Sequence, residues 1–150
     1  MPKASVKRLI ECKKKDLINL VLDIEKYPEF VPFCFDAKIY ENKDEDNLKK
    51  IIADLTIGKG PFKDTYKSDV IFNKKDDSIF VKNIDGPLNH LSNNWKFIDK
   101  SKGITEVTFD IDFEIKNKFL NSLMIVSFQF GLEKIADAFQ KRAEGLSSNF

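Results

Sequence analysis

The sequence predicts an α+β fold in which a curved antiparallel sheet wraps around one long carboxy-terminal helix. The first observation is a series of segments between Phe35 and Ile115 in which apolar and polar residues alternate, as in half-buried antiparallel strands. The second is the segment from Asn117 to about Leu146, which has no proline and repeats apolar residues at helical spacing. This helix is the only predicted element large enough to cover the sheet, so the two are expected to pack together.

The amino-terminal part is predicted to contain a strand and a short helical region. Ser5 to Cys12 alternates in a way that is compatible with a first strand. From Asp16 to Ile24 apolar residues follow helical spacing, and Asp16 is expected to cap the helix. The residue before a proline avoids the helical region, so the Tyr27-Pro28 pair predicts a break or a restart. Short helices are therefore expected between the first and second strands.

Six further strands are predicted, separated by short turns that are rich in glycine, proline or polar residues. The last of them is the clearest, because its alternation is unbroken over eleven residues. The predicted strands are Phe35–Glu41, Leu48–Ile57, Phe62–Phe72, Ser78–Ile84, Leu91–Asp99 and Thr105–Ile115.

Length, charge and cysteine content limit the class of protein. The 150 residues are expected to form a single domain, 1–150. With 25 basic and 24 acidic residues the chain has no overall field for nucleic acid, so no DNA partner is expected. Cys12 and Cys34 are too few for a disulfide framework or a zinc site and are expected to be reduced thiols. Because no export signal or long apolar run occurs, a cytoplasmic bacterial protein is expected.

The residues that could carry catalysis form no recognisable constellation, so the protein is expected not to be an enzyme and to hold no metal. The single histidine, His90, follows a Gly-Pro turn and is expected to be a surface loop residue. Asp110, Asp112 and Glu114 occupy the polar phase of their predicted strand, which is typical of a solvated face. The basic run Lys13–Lys15 is not interleaved with aromatic residues, as single-strand nucleic-acid binders require.

Phenylalanine is unusually frequent, with 14 residues against one tryptophan and three tyrosines. Such a composition suits either a large core or the lining of an apolar cavity. Gly131 lies in the middle of the apolar stripe of the long helix, where glycine costs roughly 0.5–1 kcal/mol relative to alanine. It would allow either a close approach of sheet and helix or space for a ligand, and the residues leave both interpretations open.

The segment 22–34, LDIEKYPEFVPFC, resembles the coenzyme Q-binding, START-like family that also contains the bacterial ribosome association toxins. The shared pattern is an Asp, an acidic residue two positions later, Tyr-Pro-x-Phe, a further proline, an aromatic residue and a cysteine. Phe33 stands where the family commonly has Trp, and Leu88 where it commonly has Phe. Segments that resemble the same family are DGPLNHLSNNWKF (85–97), VTFDIDFEIKNKFL (107–120) and AFQKRA (138–143), so the resemblance runs from about residue 4 to 146.

The resemblance implies a helix-grip fold with an apolar cavity between the sheet and the long helix. It also implies a non-enzymatic binder of ubiquinone or a similar polyprenyl lipid, acting as a carrier or chaperone in respiratory electron transport. Such a carrier needs no cofactor beyond its bound ubiquinone and would transiently contact the inner-membrane surface. One alternative is a ribosome association toxin that binds the large ribosomal subunit and blocks subunit joining. A less supported alternative is an aromatic polyketide cyclase or dehydratase.

The cavity of this expected fold would be lined by residues from a lid, from the sheet and from the long helix. No catalytic or metal-binding residue is expected among them. The proline-bearing segment would form the lid, since its two prolines stiffen a chain that is rich in aromatic mass. The expected lining residues are Phe30, Val31 and Phe33 in the lid, Phe62, Tyr66, Trp95 and Phe97 in the sheet, and Met124, Ser127, Phe128, Gly131 and Ile135 in the helix.

Overall fold

The computed structural model describes the backbone of residues 3–59, 61–86 and 88–148, and the side chains of these residues except 59, 62, 120, 123–128 and 146–148. The described part forms seven strands, three α-helices and one short 3-10 helix. In chain order they are β1 (Lys3–Ile10), α1 (Lys14–Leu22), the 3-10 helix (Ile24–Lys26), α2 (Tyr27–Phe30), β2 (Cys34–Glu45), β3 (Leu48–Lys59), β4 (Phe62–Asn73), β5 (Ser78–Asp85), β6 (Leu88–Ser101), β7 (Ile104–Ile115) and α3 (Lys118–Ser148).

The seven strands form one sheet in the order β1-β7-β6-β5-β4-β3-β2, and each neighbouring pair is antiparallel. Register shifts interrupt the pairing of β2 with β3, of β4 with β5 and of β6 with β7. Such bulges raise the local twist and bend a sheet. Helix α3 packs against β1 and β7 and also touches α1 and α2. The predicted α+β architecture, an antiparallel sheet curved around the carboxy-terminal helix, is confirmed.

Alternation along each strand decides which residues point toward the helices. On β3, Ile51 and Ala53 are buried, and on β6 Phe97 is buried on the same side of the sheet. We call this the inner face and the opposite side the outer face. The inner face and the amino-terminal helices share one large core, which we call the main core. Its buried members include Ile10, Cys12, Leu17, Ile18, Val21, Ile24, Ile51, Ala53, Val70, Ile79, Val81, Phe97, Val107, Phe139 and Ala143.

The two edge strands have their exposed backbone groups covered by side chains. On β1, the Gln129 and Gln140 amides of α3 each donate a hydrogen bond of 3.4 Å, to the carbonyls of Ser5 and Leu9. On β2, the Glu25 carboxylate accepts the Ile39 amide hydrogen at 2.9 Å. Backbone groups that are bonded in this way are not open to pairing with another chain.

Three local predictions are wrong. Strand β2 continues to Glu45, because residues 42–45 pair with β3 instead of forming a turn. Helix α1 begins at Lys14 with Lys13 as the cap residue, and no side chain bonds there, so Asp16 lies in the first turn. His90 is not a loop residue: it pairs with Glu114 within the sheet, and its Nε2 lies 3.7 Å from Asp112 Oδ2.

Candidate hydrophobic ligand site

Aromatic side chains close one end of the space between sheet and long helix. The ring of Phe139, on α3, meets Tyr27 at 5.4 Å, Phe30 at 5.2 Å and Trp95 at 5.3 Å between centroids, each edge-on. Edge-to-face contacts of this kind add to the apolar burial. The Tyr27 hydroxyl donates a hydrogen bond to the Val21 carbonyl. The lid segment is therefore fixed on α3 by aromatic packing at this end.

The main core leaves a cavity of about 30 Å³ at this end of the molecule. A space of this size holds a water or two, whereas ligand pockets commonly have about 300–1,000 Å³. This cavity is therefore too small for a polyprenyl quinone. Its lining residues are Val6, Arg8, Ile10, Leu17, Val21, Trp95, Val107, Phe109, Leu132, Ile135, Ala136 and Phe139, which include the predicted Trp95 and Ile135.

A second apolar region lies on the inner face further along the sheet, and we call it the distal cluster. Its buried members are Leu88, Leu91 and Phe113, and Tyr66, Ile111 and Ile115 pack against them while remaining partly exposed. Apolar side chains that are only half covered in the folded chain still present area that a ligand can bury. The distal cluster is the part of the inner face that has such area to offer.

The lid and the long helix meet at Phe33 and Gly131. A Cβ added at Gly131 would lie 3.8 Å from Phe33 Cε2, an ordinary van der Waals distance. Phe33 has a φ of 69°, in the left-handed region that few non-glycine residues occupy. Its carbonyl accepts a hydrogen bond of 3.0 Å from the Gly58 amide. The structure thus brings together two of the residues predicted to line a cavity, and it holds Phe33 in an unfavourable backbone conformation.

Three titratable groups near the lid are neutral at physiological pH. Burial raises the pKa of the Cys34 thiol to about 11, and it raises the pKa values of Tyr27 and Tyr66 above the usual tyrosine range. The Cys34 thiolate, if formed, would further disfavour ionisation of Tyr66. No charge is therefore placed on these groups, which suits an uncharged ligand.

Gly86 fixes the backbone beside Tyr66. Its φ is +135°, and a Cβ there would lie 2.7 Å from Tyr66 Cβ and 2.9 Å from Tyr66 Cα. Neither the conformation nor the space suits an L side chain. Gly86 therefore sets the approach of the β5–β6 connection to β4 at the distal cluster.

The other predicted lining residues whose side chains the structure describes belong to the main core. Val31 is half-buried against the main core. Phe97 is buried in that core and stacks on Trp95 with 6.3 Å between ring centroids. The predicted side chains that lie outside the described residues are Phe62, Met124, Ser127 and Phe128.

Sequence reasoning missed a polar residue on the inner face, Asn93. It occupies the apolar phase of β6 between Leu91 of the distal cluster and Trp95, which packs on the main core. Its side chain is 8% exposed, and its Oδ1 has no hydrogen-bond partner in the described part of the chain. The signal was present in the sequence, since an amide interrupts an otherwise apolar alternation.

A surface on the outer face was also missed, because its members come together only across strands. Lys63 Nζ lies 4.0 Å from the ring centroid of Phe35, and Lys38 and Lys67 each lie 5.0 Å from that of Tyr40. Both rings are about half exposed, Phe35 by 46% and Tyr40 by 50%. We call these five residues the Lys–aromatic surface.

The basic run that the sequence singled out has a structural role instead. Lys14 Nζ lies 2.8 Å from Asp77 Oδ2 and 3.2 Å from Asp99 Oδ2, and these carboxylates raise the pKa of Lys14. The two ion pairs connect the start of α1 to the turn between β4 and β5 and to the end of β6. Lys14 is therefore occupied by carboxylates of this chain.

The described part of the chain contains neither a metal-binding cluster nor a membrane-spanning helix. Within residues 3–59, 61–86 and 88–148, as far as their side chains are described, no group of three or more His, Cys, Asp or Glu side chains could hold a metal ion. None of the helices in the described part of the chain is long and apolar enough to cross a membrane.

A curved antiparallel sheet around one long helix, with an apolar inner face under a proline-bearing lid, defines a helix-grip protein of the START-like class. The chain belongs to the family described as polyketide cyclase / dehydrase and lipid transport, whose model matches residues 13–140. A START superfamily protein from Mycobacterium smegmatis has the same fold, with a TM-score of 0.82, 17% identity and coverage of 96% of this chain and 98% of that one.

Two named relatives carry different functional descriptions. The ribosome association toxin RatA of Rickettsia prowazekii is 34% identical over 140 residues, which cover 91% of this chain and 92% of that protein. The mitochondrial coenzyme Q-binding protein COQ10 of Dictyostelium discoideum is 30% identical over 135 residues, covering 87% of this chain and 64% of that protein. The resemblance to the coenzyme Q-binding, START-like family is confirmed.

Proposed function

We propose that this protein binds an uncharged hydrophobic ligand, ubiquinone or a similar polyprenyl lipid, and carries it in support of respiratory electron transport. The observation that carries the proposal is the half-covered apolar surface of the distal cluster, whose Tyr66 and the nearby Cys34 are both neutral. The coenzyme Q-binding relative supports the choice of a quinone. As a carrier the protein would work in the bacterial cytoplasm and visit the inner-membrane surface.

The physical basis of binding would be burial of apolar area. Each Å² of polyprenyl surface removed from water contributes about 25 cal/mol, so a few isoprene units supply most of the affinity. An apolar tail needs no hydrogen-bond pattern from the protein, which agrees with the composition of the distal cluster. The polar head requires only a small number of partners.

A substitution at Gly131 tests whether the ligand lies between lid and helix. Gly131→Leu directs a large side chain at Phe33, and we expect it to abolish the thermal shift that a short-chain ubiquinone produces in the parent protein. Gly145→Leu is the matched control, because a Cβ added there meets nothing within 4 Å. Circular dichroism would verify that both variants fold. An unchanged thermal shift in folded Gly131→Leu would contradict the proposed position of the ligand.

Association with the ribosome is a second candidate function, favoured by the Lys–aromatic surface together with the name of the Rickettsia relative. Exposed aromatic rings stack on unpaired bases, and lysines beside them contact phosphates. Lys63 and Lys67 lie four residues apart on one face of β4, about 13 Å along the strand. That spacing is long enough for more than one nucleotide of an extended strand.

Sedimentation of cell extract on a sucrose gradient distinguishes this candidate from the first. If the protein associates with the ribosome, it moves with the large subunit at low salt and leaves it as salt rises. Lys63→Glu/Lys67→Glu would then remain at the top of the gradient, whereas Lys102→Glu, a reversal in an exposed turn, would sediment like the parent. Parent protein that stays at the top at low salt would exclude stable ribosome binding.

A further inference from the structure

Three polar side chains are buried in the described part of the protein, and they differ in how their hydrogen-bonding groups are used. Ser68 Oγ donates to the Ala53 carbonyl at 3.3 Å, and Thr105 Oγ1 donates to the Cys12 carbonyl at 2.7 Å. Asn93 is different, because its Oδ1 is buried without a partner among the described residues. Buried polar atoms in native proteins are nearly always paired. The other unpaired buried atom among the described residues, Asp112 Oδ1, belongs to a carboxylate in the polar phase of β7 whose second oxygen lies 3.9 Å from Lys3 Nζ and 3.7 Å from His90 Nε2. Asn93, in the apolar phase of β6, is therefore the case that calls for an explanation.

A second asparagine on the inner face shows how such an amide is used structurally. Asn83, on β5, donates from Nδ2 to the Leu88 carbonyl at 3.2 Å and accepts the Leu91 amide hydrogen at 2.8 Å. Both ends of that side chain therefore hold the bulged start of β6. The side-chain oxygen of Asn93 forms no such bond among the described residues, although Asn93 lies on the neighbouring strand and faces the same side of the sheet.

The position of Asn93 matches the proposed site. Its backbone pairs with Val81 and Ile111, so the side chain emerges from the middle of the inner face. Along β6 it stands between the distal cluster, which leaves apolar area half covered, and Trp95 at the filled end of the main core. A ligand lying on the distal cluster would have its inner end beside Asn93.

We infer that Asn93 is the polar anchor of this site and that its Oδ1 accepts a hydrogen bond from a hydroxyl group of the bound ligand. This inference rests on the proposed function and narrows the ligand class. An acceptor at this position is paired by the O–H of a quinol or another hydroxylated apolar molecule. In the orientation found here, with Oδ1 as the buried unpaired atom, the carbonyl oxygens of a quinone would place acceptor against acceptor, and they could be paired only if the amide turned to present Nδ2. The protein is therefore expected to prefer the hydroxyl-bearing form of its ligand.

The absence of a partner in the ligand-free chain also predicts an unusual effect on stability. An unpaired buried acceptor destabilises the folded state, and an apolar side chain of similar size removes that penalty. Asn93→Leu should therefore raise the urea midpoint of the ligand-free protein. Asn83→Leu should lower it, because two hydrogen bonds to the backbone are lost. A lowered midpoint for Asn93→Leu as well would show that Asn93 is a structural residue and would overturn the inference.

Binding is measured by anaerobic titration with decylubiquinol and with decylubiquinone, followed by intrinsic fluorescence. We expect the parent protein to bind the quinol at least about tenfold more tightly, and Asn93→Leu to lose this preference by weakening quinol binding. The phenol 4-nonylphenol and its methyl ether give the same comparison without redox chemistry. Equal affinities in the parent, or a preference that survives in Asn93→Leu, would overturn the anchor while leaving the proposed function in place. Failure of all four probes to bind would instead reject the proposed function.

Discussion

The two halves of the inner face differ in how completely the chain fills them. In the main core, Leu17 is 1% exposed and Phe139 packs against three aromatic rings, leaving a cavity of about 30 Å³. At the distal cluster, Tyr66, Ile111 and Ile115 remain partly exposed, and the side-chain oxygen of Asn93, next along β6, has no hydrogen-bond partner among the described residues. Stability is concentrated in the first half and the features that suit a ligand in the second, as expected where a rigid scaffold supports a binding site.

The largest effect on the free energy of unfolding is expected when a leucine is replaced by alanine in each half in turn. Leu17→Ala enlarges the small cavity that this buried side chain borders and should lower the free energy of unfolding by about 4–5 kcal/mol. Leu91→Ala, at a residue that is 6% exposed in the distal cluster, should cost about 2–3 kcal/mol, because its half-covered surroundings can relax. Urea denaturation followed by circular dichroism measures both. Equal losses would show that the two halves are packed alike.

The arrangement of elements was predictable from the sequence because alternation and turn residues act locally. The unbroken period of β7 and the helical spacing in α3 fix both elements and their buried faces without knowledge of the fold. Asp16 and residues 42–45 were misassigned, because cap geometry and cross-strand pairing depend on neighbours that a single segment does not show.

The candidate site was less predictable, because its features arise between distant segments. Phe33 and Gly131 are in contact although they lie about a hundred positions apart in the sequence. Each was nevertheless predicted as a lining residue, Phe33 from the family resemblance and Gly131 from its position within the apolar stripe of the long helix. The Lys–aromatic surface had no signal in sequence order, since Phe35 and Lys63 lie on different strands. Asn93 had a signal, an amide in the apolar phase of a strand, that was not used.

A smaller difference in stability is expected between alanine substitutions at two glycines that both have positive φ, Gly86 and Gly103. Gly86→Ala should destabilise the protein by about 2 kcal/mol or more, since it adds a close contact with Tyr66 to an unfavourable backbone conformation. Gly103→Ala is the control, because a Cβ there meets nothing within 4 Å at a φ of +78°. It should cost about 1 kcal/mol. Thermal unfolding provides the comparison, and equal losses would show that crowding at Tyr66 adds nothing.

The smallest expected effect concerns the ionisation of Cys34. Because burial raises its pKa to about 11, the thiol should react slowly with iodoacetamide at pH 8 and faster as the pH approaches 11. The folded state retains a proton that the unfolded state loses from about pH 9 upward, so the free energy of unfolding should fall over this range. The raised pKa values of Tyr27 and Tyr66 act in the same direction at higher pH.

Peptide-resolved mass spectrometry separates Cys34 from the buried Cys12, whose alkylation reports opening of the main core. If a ligand covers the distal half, adding decylubiquinol should slow alkylation of Cys34 further. Rapid alkylation of Cys34 at pH 8 would contradict the description of this thiol as neutral and desolvated.

The proposed function requires that the distal half of the inner face binds an uncharged hydrophobic molecule. The most direct measurement is to purify the protein without detergent, denature it in organic solvent and identify by mass spectrometry whatever small molecule is released. We expect a polyprenyl quinol or quinone, or a closely similar hydroxylated lipid, in a ratio approaching one per chain. Release of no organic molecule, together with no thermal shift on adding decylubiquinol, would contradict it.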